Sequence, residues 1–174
     1  DGTYHVPTGE ECEQCHRGSK DQLLGLEPLL LGLPGAEGLT LATLSAENRL
    51  SPPLTRTEYT IPDDGTGLQG PVLGWLHVNC GVSCHNENES SNAYPSRMYL
   101  RLNPTMFEGM PLSDWNPIKT TRNQMAHTSN FAGATRLIPG APDDSLMVQL
   151  AMTRGSSRAM PPIGSRVIDP AGVD

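Results

Sequence analysis

Cys12-Glu13-Gln14-Cys15-His16 and Cys80-Gly81-Val82-Ser83-Cys84-His85 between them use all four cysteines of the chain, and a histidine directly follows each pair. The first string has the C-x-x-C-H spacing of covalent c-type haem attachment. The second has the same order of groups with one more residue between the thiols. In such a motif the thiols add to the two vinyl groups of the porphyrin, and the adjacent imidazole ligates the iron from one face. The vinyl groups are a fixed distance apart and the imidazole must emerge beneath the ring centre, so the spacing follows from the chemistry. Cys12, Cys15, Cys80 and Cys84 are therefore the expected attachment sites of two haem c groups, with His16 and His85 as their iron ligands.

Two other uses of four cysteines remain. Zinc ribbons pair C-x-x-C knuckles, but they rarely place histidine after both, and the wider second spacer fits a knuckle poorly. A disulfide within each pair would close a very short loop and constrain little of the unfolded chain.

The surrounding composition is poor in ordinary core material. Of 174 residues only 36% are apolar and 5% aromatic, with 18 Gly and 16 Pro. A chain of this kind reads as loop-rich, with a thin core that two flat apolar macrocycles would enlarge. The net charge of −7 comes without a Lys/Arg cluster, which argues against nucleic acid and suits a basic redox partner. No run of 18 apolar residues exists, so no transmembrane segment is expected. No leader precedes Asp1 in this sequence; since haem attachment takes place outside the cytoplasm, Asp1 is expected to be a mature or trimmed start.

Outward from the first motif, Thr8 and Glu11 have the spacing of a capping box, placing Cys12–His16 on a short helix. Lys20–Leu33 is leucine-rich and predicts one or two helical turns ended by Pro34-Gly35. Leu39–Leu50 predicts a further apolar segment stopped by Ser51-Pro52-Pro53. Residues 51–70 hold Pro52, Pro53, Pro62, Asp63-Asp64-Gly65 and Gly67, a linker or wrapping loop. Pro71–Asn79 then predicts a helix running into the second motif, with Pro71 at its first position and Val72, Trp75 and Leu76 on its buried face. Asn86–Asn92 is a polar loop, whose Asn88-Glu89-Ser90 matches a glycosylation sequon only by its triplet. Met98–Leu102 predicts a short strand or helix. Pro142–Arg154 predicts the clearest helix, capped by Asp143 or Asp144, with Leu146, Met147, Leu150 and Ala151 inward and Met152 also in the core.

A haem with one histidine needs a sixth ligand or has an open site. Met160, in Arg158-Ala159-Met160-Pro161-Pro162, lies on a proline-stiffened loop just after a helix and is the expected thioether ligand of the second iron. Such ligation favours ferrous iron and raises the potential. Residues 17–76 contain neither His nor Met. A sixth ligand of the first iron, where there is one, therefore comes from before the motif or from the second half of the chain, with His77 the first candidate, then His127, then His5.

Taken in order, Tyr4–Thr8 with Glu11–His16 and Leu24-Gly25-Leu26, then Gly74–Asn86, then Leu137–Leu146, then Met160-Pro161-Pro162-Ile163-Gly164-Ser165, the chain resembles a bacterial exported dihaem c-type cytochrome module. The resemblance implies a mainly α, loop-rich, cytochrome c-like fold with two covalently attached haems. It carries Cys12, Cys15, His16, Cys80, Cys84, His85 and Met160 onto attachment and ligation, and adds weight to His77. Residues 1–69 would be the first haem segment with its wrapping region and linker. Residues 70–174 would be a class I cytochrome c-like domain. The sequence departs from the pattern in its three-residue second spacer. It also reaches Asp174 only 14 residues after Met160, before the closing helix the family carries, so that helix is expected to be missing, disordered or supplied by another segment.

These readings imply an electron carrier in the periplasm or at the cell surface. It would pass single electrons to redox proteins, to other cytochromes or to further domains of a longer protein. A dihaem peroxidase-like enzyme with one open iron is the alternative, and a zinc-stabilised binding module the third. No serine–histidine nucleophile or phosphate loop competes, and no catalytic residue is expected.

Overall fold

The computed structural model describes residues 6–164 and 166–173. The fold is helical and loop-rich: seven short helices α1–α7 and four 3₁₀ turns, with two isolated β-bridges but no strands among the described residues. Tyr4, His5 and Ser165, part of the motifs quoted above, lie outside the described residues.

Helix α1 spans Gly9–His16 and begins as its sequence predicts. The Thr8 hydroxyl accepts from the Glu11 amide at 3.2 Å, and the Glu11 carboxylate accepts from the Thr8 amide at 2.8 Å, satisfying two amides that the helix cannot. No residue of α1 is buried, so the helix is held by what its loops and backbone touch. Helix α2 (Pro28–Gly32) opens with proline at its first position, where the missing N–H costs nothing. It packs on α3 (Leu41–Ala46), whose first turn is capped by Thr40.

The core collects Leu29 of α2, Leu41 of α3, Tyr59, Leu73, Leu102, Met106 and Trp115. Phe107 bridges two of its rings, 5.3 Å from Tyr59 and 5.0 Å from Trp115 between centroids. One cluster thus draws from both sides of the 69/70 boundary.

Helix α4 spans Gln69–Leu76 and continues without a break as a π-helical turn over His77–Gly81. It starts two residues before the predicted Pro71, which still falls in the first turn where an N–H has no partner. Its inward residues are Leu73 and His77, not Val72, which is 52% exposed; Trp75 and Leu76 are half-buried. The partner chosen by the fold, the Leu29–Leu102 cluster, lies on the Leu73 side, and sequence periodicity alone does not fix which apolar stripe faces in.

Met98–Leu102 is neither strand nor helix. It is an extended segment whose Leu100 and Leu102 are buried, and its amides are spent on long-range partners rather than a ladder: Leu100 to the His85 carbonyl, Tyr99 to the Thr120 hydroxyl, Leu102 to the His77 ring.

Helix α5 spans Asn116–Lys119. Helix α6 spans only Leu146–Ala151, with Ser145 rather than Asp143 or Asp144 at its cap. The reason is visible in the bonding. The Ser145 hydroxyl is buried, accepting from the Ile138 amide and donating to the Ala141 carbonyl, while the Leu146 and Met147 amides donate to Thr135 and Arg136. First-turn amides that an aspartate would have capped are already satisfied by another segment. Leu146 and Leu150 face in, whereas Met152 is 51% exposed rather than part of the core. After the methionine loop the chain forms one further turn, α7 (Pro170–Val173). There Asp169 accepts from the Trp75 indole at 2.8 Å, and Gly172 lies so close to that ring that a Cβ would stand 2.2 Å from its nitrogen.

Candidate functional site

The two cysteine motifs, remote in sequence, are docked on each other. Gly18 abuts the second motif so closely that a Cβ there would stand 1.7 Å from the Ser83 carbonyl oxygen. Asn88 donates to the Arg17 carbonyl and Asn92 to the Gln14 carbonyl, each at 3.2 Å. All four cysteines are free thiols, Cys12 exposed and the others half-buried. Burial, and then Cys84, raise the pKa of Cys15; the same two causes push Cys80 up to about 11.

The longer second spacer is absorbed by the π turn. The Val82 amide reaches the His77 carbonyl five residues back, and the Cys80 carbonyl accepts from both Cys84 at 3.3 Å and His85 at 2.7 Å. A π turn is the helical way of taking in one extra residue, and it recurs at functional sites. Gly81 is required there, since a Cβ would meet the Arg101 backbone at 2.5 Å. Asn86, 2% exposed, closes the turn by donating to the Gly81 and Val82 carbonyls, both at 3.0 Å.

The two histidines share one hydrogen-bond pattern. His16 Nδ1 is 2.6 Å from the Gln22 carbonyl, and His85 Nδ1 is 3.3 Å from the Met98 carbonyl. A carbonyl only accepts, so Nδ1 carries the proton and the Nε2 lone pair is left for a ligand. Metal-bound imidazoles are commonly oriented this way. His16 is exposed and His85 half-buried. Desolvation, opposed by the Met98 bond and reinforced by Arg136, lowers the His85 pKa to about 4 and keeps the ring neutral. Arg136, 6% exposed, donates to the Arg97, Thr120 and Ser96 carbonyls and so ties the segment before α6 to the His85 side. Met160 hangs on the same frame: its amide donates to Leu150 of α6 and its carbonyl accepts from Arg154.

His77 is wholly buried, and its Nδ1 accepts from the Leu102 amide at 3.0 Å. A neutral ring therefore carries its proton on Nε2, which lies 3.4 Å from Glu27 Oε2. That separation is long, and Nε2 is left short of a well-formed hydrogen bond. Glu27 also pairs with Arg101. Burial opposes ionisation of Glu27, but the nearby His77 and Arg101 groups outweigh it and the net pKa is lowered. In this arrangement both His77 nitrogens are directed at protein groups. His127 is exposed in the loop before the Ser129–Phe131 turn, and His5 lies outside the described residues.

Among the described residues no group of three or more His, Cys, Asp and Glu side chains is arranged to hold a bare metal ion. The donor set fits haem attachment better: two thiols per motif, each pair with a correctly tautomerised imidazole. Sequence reasoning found these groups but not those that dock them. Gly18, Asn86, Asn88, Asn92, Glu27, Arg101 and Arg136 carried no signal beyond the polar composition of the 86–92 loop. Asn88, within the sequon triplet, spends its amide nitrogen on the Arg17 carbonyl. No protein-family model matches the chain, and neither a curated protein nor a solved structure matches it significantly.

Proposed function

We propose that this chain is a dihaem c-type cytochrome that carries single electrons between redox partners outside the cytoplasm. The observation that carries the reading is the shared state of His16 and His85: each gives its Nδ1 proton to a main-chain carbonyl and keeps Nε2 free, directly beside a thiol pair. Haem, when bound, supplies the one-electron chemistry at its iron. The chain's part is to bind and orient. Cys12 and Cys15 hold one group, Cys80 and Cys84 the other. Gln22 and Met98 fix the imidazole planes. Met160 is the proposed sixth ligand of the second iron, and its thioether favours the reduced state. The docking of the two motifs keeps the two sites adjacent, so an electron accepted at one has a short route to the other. The acidic surface suits basic protein partners.

For the first iron His77 stays the leading sixth ligand, before His127 and His5, but its ligation requires the ring to leave Leu102 and Glu27. That engagement favours the second reading, a peroxidase-like enzyme with one open iron. Carbon monoxide added to the reduced protein separates the two: a pair of six-coordinate sites leaves the spectrum unchanged, and an open iron shifts it. The first test is a pyridine haemochrome spectrum with an intact mass. The expected result is two haem c per chain; a colourless protein of bare polypeptide mass removes both haem readings.

A further inference from the structure

We propose that Arg136 is a positioning residue for the imidazole of the second motif: it clamps the turn at Arg97, and that turn holds the Met98 carbonyl on His85 Nδ1. The consequence for an iron rests on the function proposed above; the consequence for the ring does not.

Arg136 is 6% exposed, and no carboxylate pairs with it among the described residues. A buried cation without a counter-ion is costly unless its donors are used. Here they go to main-chain carbonyls: Nη1 donates to Arg97 at 3.0 Å and to Thr120 at 2.6 Å, and Nη2 to Ser96 at 2.6 Å. The backbone of Arg136 is itself fixed from two sides. Its amide donates to the Gln124 carbonyl at 2.8 Å, and its carbonyl accepts from Met147 at 3.0 Å. The guanidinium thus bridges Ser96-Arg97 and Thr120 to the segment before α6.

What it bridges is strained. Arg97 ends the Tyr94–Ser96 turn at φ 51° and ψ 34°, in the left-handed region that disfavours any residue with a Cβ. Its side chain is exposed, so the main chain sets this conformation. The Ser96 and Arg97 carbonyls are held by Arg136, and the Met98 amide donates to the Ser96 hydroxyl at 3.2 Å. The next carbonyl, that of Met98, stands 3.3 Å from His85 Nδ1. Two residues on, the Leu100 amide donates to the His85 carbonyl at 2.7 Å. If residue 97 relaxed out of the left-handed region, the Met98 carbonyl would leave the ring. Strain of this kind persists only where its surroundings over-determine it, and the Arg136 fork is what does so here. A bond to Nδ1 orients a ligating imidazole and raises its basicity. Charge alone would act differently from a clamp, and lysine separates the two: Arg136→Lys keeps the charge but offers a single ammonium where the planar fork spans three carbonyls.

The test uses the full chain as purified, reduced. Nitrogen-edited NMR reads how fast the His85 ring proton exchanges with water. The Tyr59 amide, bonded to the Gly32 carbonyl in the core, reports the fold. Arg136→Lys is expected to speed the ring proton about tenfold and to leave Tyr59 unchanged. Arg97→Val should do the same, because a β-branched residue resists the left-handed turn; this exposed site carries the test if Arg136→Lys does not fold. Glycine accepts that turn freely, so Arg97→Gly added to Arg136→Lys should slow the proton again by about threefold. A wild-type ring proton that exchanges as fast as that of free imidazole overturns the proposal. So does an unchanged rate in Arg136→Lys, an equal acceleration at Tyr59, or no slowing by glycine. With two haems attached, Arg136→Lys should raise one midpoint potential, since a less basic imidazole stabilises ferric iron less, and leave the other in place. Two unmoved potentials overturn the consequence for the iron. A chain that carries no haem defeats the function proposed above and leaves the ring proton to decide this inference.

Discussion

At the scale of single residues, two kinds of histidine stand in one small molecule. His16 and His85 each keep a lone pair free, while His77 spends its Nδ1 lone pair on the Leu102 amide and turns Nε2 toward Glu27. If haem is attached as proposed, replacing His85 with Ala is expected to leave Cys80 and Cys84 able to hold it but to give a high-spin spectrum at that site in place of a low-spin one. Met160→Ala should lower one of two midpoint potentials in a redox titration and leave the other in place. Glu27 gives a stability prediction. It is buried beside His77 and the half-exposed Arg101, and a hydrogen bond to a charged group is worth about 1.5–3 kcal/mol. Glu27→Ala should show that loss as a lower guanidinium midpoint. The pH dependence follows from the lowered Glu27 pKa. A carboxyl whose folded pKa lies below its unfolded value contributes stability above the unfolded value and loses it as pH falls through the folded one. The wild type should therefore lose stability more steeply than Glu27→Gln below about pH 4.5. Parallel curves would remove this account of the pair.

At the scale of elements, the decisive contact is α1 against the π turn. No buried side chain anchors α1, so its position depends on backbone approach at Gly18 and on the Asn88 and Asn92 amides. Gly18→Ala puts a methyl group into the Ser83 carbonyl; neither backbone can yield cheaply, and overpacking of this kind costs about 1–3 kcal/mol. Hydrogen exchange should show α1 amides losing protection while those of α4 keep it. Equal loss in both helices would mean that α1 is not a separately docked unit. The cap of α1 was legible because Thr8 and Glu11 interact locally. The limits of α6 were not, because Thr135 and Arg136 take the amides that Asp143 or Asp144 would have capped.

At the scale of the whole molecule, the proposed electron carriage makes charge a determinant of how redox reagents approach. With a net charge of −7, a cationic redox reagent should react faster than an anionic one of equal potential, by on the order of tenfold at low salt. The gap should close near 1 M salt, where the screening length falls to about 3 Å. A gap independent of salt would remove steering as its cause. Among the described residues no helix is long and apolar enough to cross a membrane, as the hydropathy of the sequence predicts.

The sequence by itself determined what is local: which thiols stand beside which imidazole, how α1 starts, and that the fold is helical and rich in loops. Those follow from spacing over a few residues, where backbone geometry leaves few choices. The tertiary structure decided what adjacency in the chain does not encode. It turned Leu73 rather than Val72 inward, buried His77 between Leu102 and Glu27, and docked the first cysteine motif on the second. Each depends on contacts between segments far apart in sequence, set by how close two backbones can come, as at Gly18 and Gly81, and by which buried polar groups must find partners.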